Sequence, residues 1–168
     1  MAENISVDKT LNDAEIYESL IPQLKVLLNP GEPVISNLAN VTAALKTGFD
    51  KISWVGFYLK KDEEMFLGPF QGNVACAIIK MGEGVCGTSA QLQRTVIVED
   101  VDQFPGHIAC DSGSRSEIVV PIFNFKNLYG VLDLDSYHYS AFNETDKKYL
   151  ELICGIISQK INLTKFQI

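Results

Sequence analysis

Long apolar runs, clusters of basic residues and a signal sequence are all missing from this chain. No apolar segment reaches the length that a bilayer-spanning helix needs. The 14 lysines and arginines are scattered among 21 acidic residues, and the net charge of −7 argues against binding to nucleic acid or an anionic membrane. The first residues lack the basic and apolar regions of a signal peptide. The sequence therefore predicts a cytoplasmic protein that binds neither nucleic acid nor membrane.

Closely spaced cysteines are missing as well. No two of the four cysteines are near enough in sequence for a Cys-x-x-Cys redox motif or a zinc knuckle. A reducing compartment also disfavours a framework of structural disulfides. Cys76, Cys86 and Cys110 lie in separate short segments whose loop-like or strand-end character predicts thiols that can be reached. Separated, reachable thiols suggest thiol–disulfide chemistry between residues that meet only in the fold, with no metal or other cofactor.

What the sequence does contain is the apolar content of an ordinary globular domain. Apolar residues make up 46 % of the 168 residues and charged residues 21 %. This length is sufficient to bury a substantial core, and the sequence has no repeats and no low-complexity segments. We expect one domain over residues 1–168, with no attached second domain.

Hydrophobic periodicity predicts an α+β fold. Apolar residues recur at helical spacing over 11–28, over 33–46 and from about Asn143, where Asp146 stands at the position of a capping acid. A short turn or helix should follow Cys86, and a polar loop should span about 102–114. Strands are predicted at 52–59, 65–70, 74–80, 95–98, 117–125 and 128–136. Because most of these strands are joined by hairpins, we expect a six-stranded antiparallel sheet flanked by helices.

Three carboxylates interrupt these apolar strands. Period-2 alternation places Asp133 and Asp135 on one face of their strand, and Glu117 begins the strand before it. A carboxylate in an apolar strand is costly to bury unless a positive group meets it, and Arg115 is the nearest cation in sequence. A ligand ammonium or a bound metal would meet that need, whereas a solvent-facing strand would remove it. The pattern alone leaves these readings open.

The cysteines differ in their local settings. Cys154 lies on the apolar stripe of the last helix and is expected to be a packing residue. Cys76, inside a predicted strand, is by itself more typical of a core. Cys86 is flanked by glycines and is a better candidate for chemistry. Cys110 is the strongest candidate, because packing does not explain its loop and His107 nearby would lower its pKa, although a loop histidine is also common as a surface residue.

Short motifs spread over residues 37–146, without a detectable gap, together carry a family resemblance. They are Trp54-Val-Gly-Phe-Tyr58, Leu67-Gly-Pro-Phe-Gln-Gly72, Val74-Ala-Cys76, Gly84-Val-Cys86-Gly-Thr88, Phe104-Pro-Gly-His-Ile-Ala-Cys110-Asp, Arg115-Ser-Glu-Ile-Val-Val-Pro121 and Gly130-Val-Leu-Asp-Leu-Asp-Ser136. This set, with its cysteine spacings, resembles the free methionine-(R)-sulfoxide reductases, which are stand-alone GAF-domain enzymes. The resemblance implies a GAF-like fold and the reduction of free methionine-(R)-sulfoxide to methionine.

The resemblance also implies a role for each of the three cysteines. Cys110 would attack the sulfoxide sulfur and keep a sulfenic acid when methionine leaves. Cys76 would condense with that sulfenic acid to form a disulfide, and Cys86 would be able to take part in a further exchange. Thioredoxin would then return the enzyme to its dithiol state. From sequence alone Cys86 looks as exposed as Cys76, so the identity of the resolving cysteine stays open.

A substrate pocket follows from the same resemblance. Trp54 and Tyr58, on one face of their strand, would hold the methyl group of the substrate. Glu117, Asp133 and Asp135 would meet its ammonium and help to protonate the sulfoxide oxygen. A peptide has no free ammonium at that place, which would explain a preference for the free amino acid. The sequence leaves a homodimer open as the assembly.

Two other classes of function remain as alternatives. Most GAF domains are small-molecule sensors, so the chain could be a non-catalytic sensor module, although no linker to a second domain is expected. A metal-binding redox sensor would use the cysteines with His107, which the absence of a Cys-x-x-Cys pair disfavours. Thiol titration separates these classes, because the sulfoxide should consume two thiols of an enzyme and none of a sensor.

Overall fold

Helices and strands follow one another in the pattern expected of an α+β protein. The computed structural model describes residues 4–108 and 110–165. The helices are α1 (Asp13–Leu27), α2 (Val34–Gly48), α3 (Gly84–Leu92) and α4 (Glu144–Lys160), with short 3-10 helices at Val101–Gln103 and Leu163–Lys165. The strands are β1 (Trp54–Lys61), β2 (Glu64–Gln71), β3 (Ile78–Lys80), β4 (Val96–Val98), β5 (Ser116–Asn124) and β6 (Asn127–Ser136). In the described segments, no helix is both long and apolar enough to cross a membrane.

The strands form one six-stranded antiparallel sheet in the order β3-β2-β1-β6-β5-β4, which confirms the predicted fold class. Tight hairpins join β1 to β2 and β5 to β6, with Asp62 (φ 54°) and Phe125 (φ 56°) in the left-handed conformation that such turns need. Strands β1 and β6 therefore pair at the centre of the sheet although more than 60 residues separate them in the chain.

Alternation along the central strands divides the side chains between two apolar clusters. Val55, Phe57 and Leu59 of β1 belong to the main core beneath α1, α2 and α4. Trp54 and Tyr58 belong to a smaller cluster on the opposite face, which α3 covers. Each fully buried large apolar side chain stabilises the fold by about 1.5–3 kcal/mol. The larger cluster supplies most of the stability, while the smaller one surrounds the site described below.

The helix ends follow their sequence signals. In α4, the Asn143 backbone N–H donates to the Asp146 carboxylate (2.9 Å), so the predicted capping acid is confirmed. The buried Asp146 also accepts hydrogen bonds from Lys51 Nζ (2.7 Å) and Tyr17 Oη (2.9 Å). These contacts tie α4 to α1 and to the connection before β1.

The segment over 74–80 differs from its prediction as a strand. Only Ile78–Lys80 pairs with β2 as a strand, and of the residues before it Ala77 still accepts a hydrogen bond from the Leu67 N–H (3.0 Å). The physical reason is that two side chains take over the backbone carbonyls. Trp54 Nε1 donates to the Asn73 carbonyl (3.1 Å), and Tyr58 Oη donates to the Cys76 carbonyl (2.9 Å). The segment that carries Cys76 is therefore held against the aromatic face of β1.

Candidate active site

A pocket opens on the face of the sheet that α3 covers. It encloses about 490 Å³ of atom-free space, counting its open mouth. Strands β1, β5 and β6 form its floor, and α3 and the connection before β5 form its walls. Among its lining residues are seven of the eight predicted catalytic and substrate-binding residues: Trp54, Tyr58, Cys86, Cys110, Glu117, Asp133 and Asp135. The eighth, Cys76, is bonded to Cys110.

The strand register explains why these side chains meet. Directly opposed residues of an antiparallel pair share a face, and the register opposes Trp54 to Asp135, and Asp135 in turn to Glu117. Asp133 lies opposite Gly56, which has no side chain. The aromatic residues of β1 and the acids of β5 and β6 are therefore neighbours on the floor of the pocket.

The aromatic wall depends on that glycine. Trp54 and Tyr58 are nearly fully buried, and their ring centroids lie 6.1 Å apart. The Trp54 ring lies across Gly56, where a Cβ atom would come within 2.3 Å of the ring. The ring also stacks on Phe70 at a centroid distance of 5.5 Å. This arrangement gives a flat apolar surface suited to a methyl or methylene group.

Cys76 and Cys110 form a disulfide on the wall of the pocket. Their Cα atoms lie 5.4 Å apart, although 34 positions separate the two residues in sequence. Cys76 belongs to the connection between β2 and β3, and Cys110 to the connection before β5. The structure therefore pairs Cys110 with Cys76, where the sequence alone left Cys76 and Cys86 as equal candidates.

Cys86 is not the reachable thiol that the sequence suggested. It lies inside α3, which begins two residues before it, and it is 3 % exposed. Burial, then the charges of Asp133 and Glu117, raises the pKa of this thiol well above its usual value. The protonated thiol donates a hydrogen bond to Asp133. Cys154 is also a free thiol, buried in the main core as predicted.

The acids on the pocket floor are buried, which rules out a solvent-facing strand for Glu117 and Asp133. Glu117 is 6 % exposed and Asp133 is 5 % exposed, while Asp135 is partly buried. Burial raises the pKa of Asp133 to about 7, against the opposing effect of hydrogen bonds from Cys86 and Glu117. Burial, then the charges of the neighbouring aspartates, raises the pKa of Glu117 well above its usual value. Burial likewise raises the pKa of Asp135, and a hydrogen bond from Ser114 opposes the rise.

No cationic side chain neutralises this cluster among the residues that the structure describes. His107 Nε2 lies 3.8 Å from a Glu117 oxygen, but burial lowers the pKa of His107, which favours its neutral form. Arg115 donates instead to the carbonyls of Ser112 (3.2 Å) and Ser114 (2.9 Å). Asp133 Oδ1 is buried and accepts no hydrogen bond from any described residue. The cluster therefore presents a buried acceptor that a positive group from outside the chain would satisfy.

A cation could be held at this place. The Cys86 thiol and a carboxylate oxygen from each of Glu117 and Asp133 all lie within 4.8 Å of one another. This spacing admits a small cation or the ammonium group of an amino acid. The adjacent Trp54 and Tyr58 rings favour a ligand that carries an apolar group beside its positive charge.

Sequence reasoning missed a hydrogen-bonded group beside the disulfide, made of Asn73, Asp111 and Tyr137. Asn73 Nδ2 donates to Asp111 Oδ2 (3.1 Å) and lies 3.0 Å from Tyr137 Oη, which donates to the same carboxylate oxygen (2.9 Å). These partners are 26 to 64 residues apart in the chain. No local pattern signals contacts of that separation, so only the fold reveals them.

Comparisons with known proteins agree with this fold. A family model described as a GAF domain matches residues 38–162. GAF domain-containing protein A of Dictyostelium discoideum is 51 % identical over 158 residues, covering 94 % of this chain and 99 % of the relative. The free methionine-R-sulfoxide reductase of Saccharomyces cerevisiae is 40 % identical over 166 residues, covering 94 % and 92 %. The structure of free methionine-R-sulfoxide reductase from Neisseria meningitidis with its substrate superposes with a TM-score of 0.89 at 42 % identity, covering 96 % and 98 %.

Proposed function

Because this chain belongs to the free methionine-(R)-sulfoxide reductases, a GAF-domain family, we propose that it reduces the free sulfoxide to methionine through thiol chemistry at Cys110. The observation that carries the proposal is the Cys76–Cys110 disulfide beside a pocket whose buried acids have no protein cation. In its reduced, dithiol form this cysteine pair supplies two electrons per cycle. The pocket beside it provides a binding site for an amino acid.

Substrate binding follows from the composition of the pocket. The methyl group of the sulfoxide packs on Trp54 and Tyr58, and its ammonium donates to the orphaned Asp133 Oδ1 and to the neighbouring acids. Hydrogen bonds to a charged partner contribute about 1.5–3 kcal/mol each. A peptide-bonded methionine sulfoxide has an amide in place of the ammonium, so it would leave the acceptor unpaired. This difference favours the free amino acid.

The chemical step transfers the sulfoxide oxygen to the protein. The Cys110 sulfur attacks the sulfoxide sulfur and forms a transient sulfur–sulfur bond. The oxygen then moves to the Cys110 sulfur while that bond and the sulfur–oxygen bond of the substrate break, which leaves a sulfenic acid on Cys110. The substrate sulfur gains two electrons and leaves as methionine, and the Cys110 sulfur loses two. A protonated acid is needed at the oxygen. Glu117 suits that role because burial and the neighbouring aspartate charges raise its pKa, which favours its protonated form.

The second step accounts for the observed disulfide. The Cys76 thiol attacks the sulfenic sulfur of Cys110, the sulfur–sulfur bond forms, and the hydroxyl leaves as water. A dithiol then reduces the disulfide by exchange, and we propose thioredoxin in the cytoplasm as that reductant. A homodimer stays a prediction. Direct exchange through Cys86 would require α3 to open, since that thiol is buried.

A single-turnover assay tests the proposal. The reduced protein is mixed with methionine-(R)-sulfoxide in the absence of any reductant. We expect about one methionine per protein and the loss of two thiols. The Cys110→Ser variant should release none, whereas Cys76→Ser should release about one equivalent and then fail to be recycled efficiently by thioredoxin.

Each variant has an outcome that would contradict its assignment. Release of methionine by Cys110→Ser would place the nucleophile elsewhere, with Cys86 as the next candidate. Full steady-state activity in Cys76→Ser would remove Cys76 from the mechanism. Binding of the sulfoxide with no loss of thiols would identify the sensor module instead.

A further inference from the structure

The two segments that carry the reacting cysteines are joined by more than their disulfide. Asn73 lies three residues before Cys76, Asp111 directly follows Cys110, and Tyr137 directly follows β6. The side chains of these three residues, called here the bridging triad, contact one another within 3.1 Å. The bridging triad therefore connects the Cys76 segment to the Cys110 segment through atoms that are not part of the redox chemistry.

The bridging triad is fixed to the rest of the molecule on both sides. Trp54 Nε1 holds the Asn73 carbonyl at 3.1 Å, and the Gly113 N–H donates to Asp111 Oδ1 at 2.9 Å. The hydrogen bond from Gly113, then those from Tyr137 and Asn73, lowers the pKa of Asp111. The carboxylate is thus ionised at neutral pH and accepts from three donors. None of these contacts uses a cysteine sulfur atom.

We propose that the bridging triad is a positioning device that keeps Cys76 within reach of Cys110 while the disulfide is open. The inference rests on the proposed function, because it concerns the step in which the Cys76 thiol displaces water from the Cys110 sulfenic acid. Both cysteines lie on connections rather than in strands, so another link must limit how far they separate. Holding two reacting groups close raises the rate of their reaction without altering the groups themselves.

The bridging triad acts only after the first methionine has formed, which makes its role separable. Asn73→Ala removes the amide, and Tyr137→Phe removes the hydroxyl but keeps the ring. Each should slow disulfide formation by about 3- to 30-fold, which is the rate ratio that corresponds to the free energy of the lost hydrogen bonds. The rate of methionine release should stay that of the wild type. Tyr139→Phe is the matched control, since this exposed residue, two positions away on the same loop, lies outside the triad.

A swap of the two polar side chains tests the contact itself. Asn73→Asp alone places a second carboxylate against Asp111 and should slow the step further. Combined with Asp111→Asn, it restores an amide–carboxylate pair in the opposite direction and should recover most of the rate. A residue that merely supports the fold would not show this rescue.

The measurements follow both steps in one reaction. Methionine is quantified after rapid quenching, and the sulfenic acid is trapped with dimedone while disulfide formation is followed by mass. We expect the triad variants to accumulate the trapped sulfenic acid. Disulfide formation as fast as in the wild type, with normal methionine release, would overturn the proposal.

A second readout is independent of the sulfoxide. Equilibration of the reduced protein with glutathione buffers gives the stability of the Cys76–Cys110 disulfide, which should fall by a similar factor in the triad variants. If the wild type released no methionine, the proposed function would be wrong. The disulfide equilibrium would still show whether the bridging triad brings the two cysteines together. If the equilibrium constant for formation of this disulfide were unchanged in all variants, the proposed role of the bridging triad would be contradicted.

Discussion

We expect the charge state of Asp133 to control substrate binding. Its pKa is raised to about 7 by burial, so its ionised fraction grows as the pH rises from 6 to 8. An ionised carboxylate attracts the substrate ammonium and a neutral one does not. We therefore expect the KM for the free sulfoxide to fall by about tenfold over this interval, and Asp133→Asn to lose most of the dependence while binding more weakly. Steady-state kinetics across pH provides the measurement, with Glu63→Gln as an exposed control.

Cys86 touches the same carboxylate and offers a second test at this scale. Its thiol donates to Asp133, and that hydrogen bond lowers the pKa of the aspartate. Cys86→Ala removes the donor, so the pH midpoint of substrate binding should move upward. The number of thiols consumed in a single turnover should stay at two, because Cys76 and Cys110 suffice. Loss of the disulfide product in this variant would assign the buried thiol a direct part in the exchange.

Strand β1 is the element that shapes the aromatic wall. A methyl group at Gly56 would overlap the Trp54 ring and lies 2.6 Å from Phe70 Cβ, so Gly56→Ala forces the indole out of its place. We expect a loss of about 1–3 kcal/mol in unfolding free energy and a higher KM for the sulfoxide. Trp54 is the only tryptophan, so its fluorescence emission reports the displacement directly.

Gly155→Ala is the matched substitution for that experiment. Its new methyl group would meet no atom within 4 Å apart from its chain neighbours and the nearby backbone of α4, and alanine stabilises a helix by about 0.5–1 kcal/mol relative to glycine. An unshifted emission spectrum in Gly56→Ala, equal to that of Gly155→Ala, would contradict the geometry of the wall.

Strands also mark the limit of what sequence could reveal. Alternation correctly placed Trp54 with Tyr58 and Asp133 with Asp135, because the period of a strand is set by its backbone. The strand prediction failed over 74–77, where Tyr58 Oη binds the Cys76 carbonyl and Trp54 Nε1 binds the Asn73 carbonyl just before this segment. The pairing of β1 with β6, and the burial of Cys86 where α3 packs against the sheet, depend on contacts distant in sequence. Local pattern carries no information about such contacts.

For the molecule as a whole, the buried acids make folding depend on pH. The pKa values of Glu117, Asp133 and Asp135 are higher in the folded chain than in the unfolded one. Above a pH of about 4 the folded state therefore holds more protons, and its stability falls as the pH rises through about 7. Glu117→Gln removes one such acid, so its melting temperature should exceed that of the wild type, increasingly so from pH 5 to pH 8.

Thermal melts of the two proteins across this range decide the matter. The lowered pKa of His107 opposes the trend below neutrality. Equal melting temperatures at every pH would mean that the cluster imposes no cost on folding. Activity should move in the other direction, with a loss of about 10- to 100-fold in kcat/KM for Glu117→Gln.

The pocket floor belongs to the central strands, whereas both cysteines of the disulfide lie on connections. The proposed function therefore assigns substrate recognition and electron transfer to separable parts of one chain. A Cys76→Ser, Cys110→Ser protein should keep its fold and still bind the free sulfoxide, but return it unchanged. With its single tryptophan beside the ligand, such a protein would serve as a reversible fluorescent reporter of oxidised methionine. A reductase and a receptor with this fold would then differ only in the presence of two sulfur atoms.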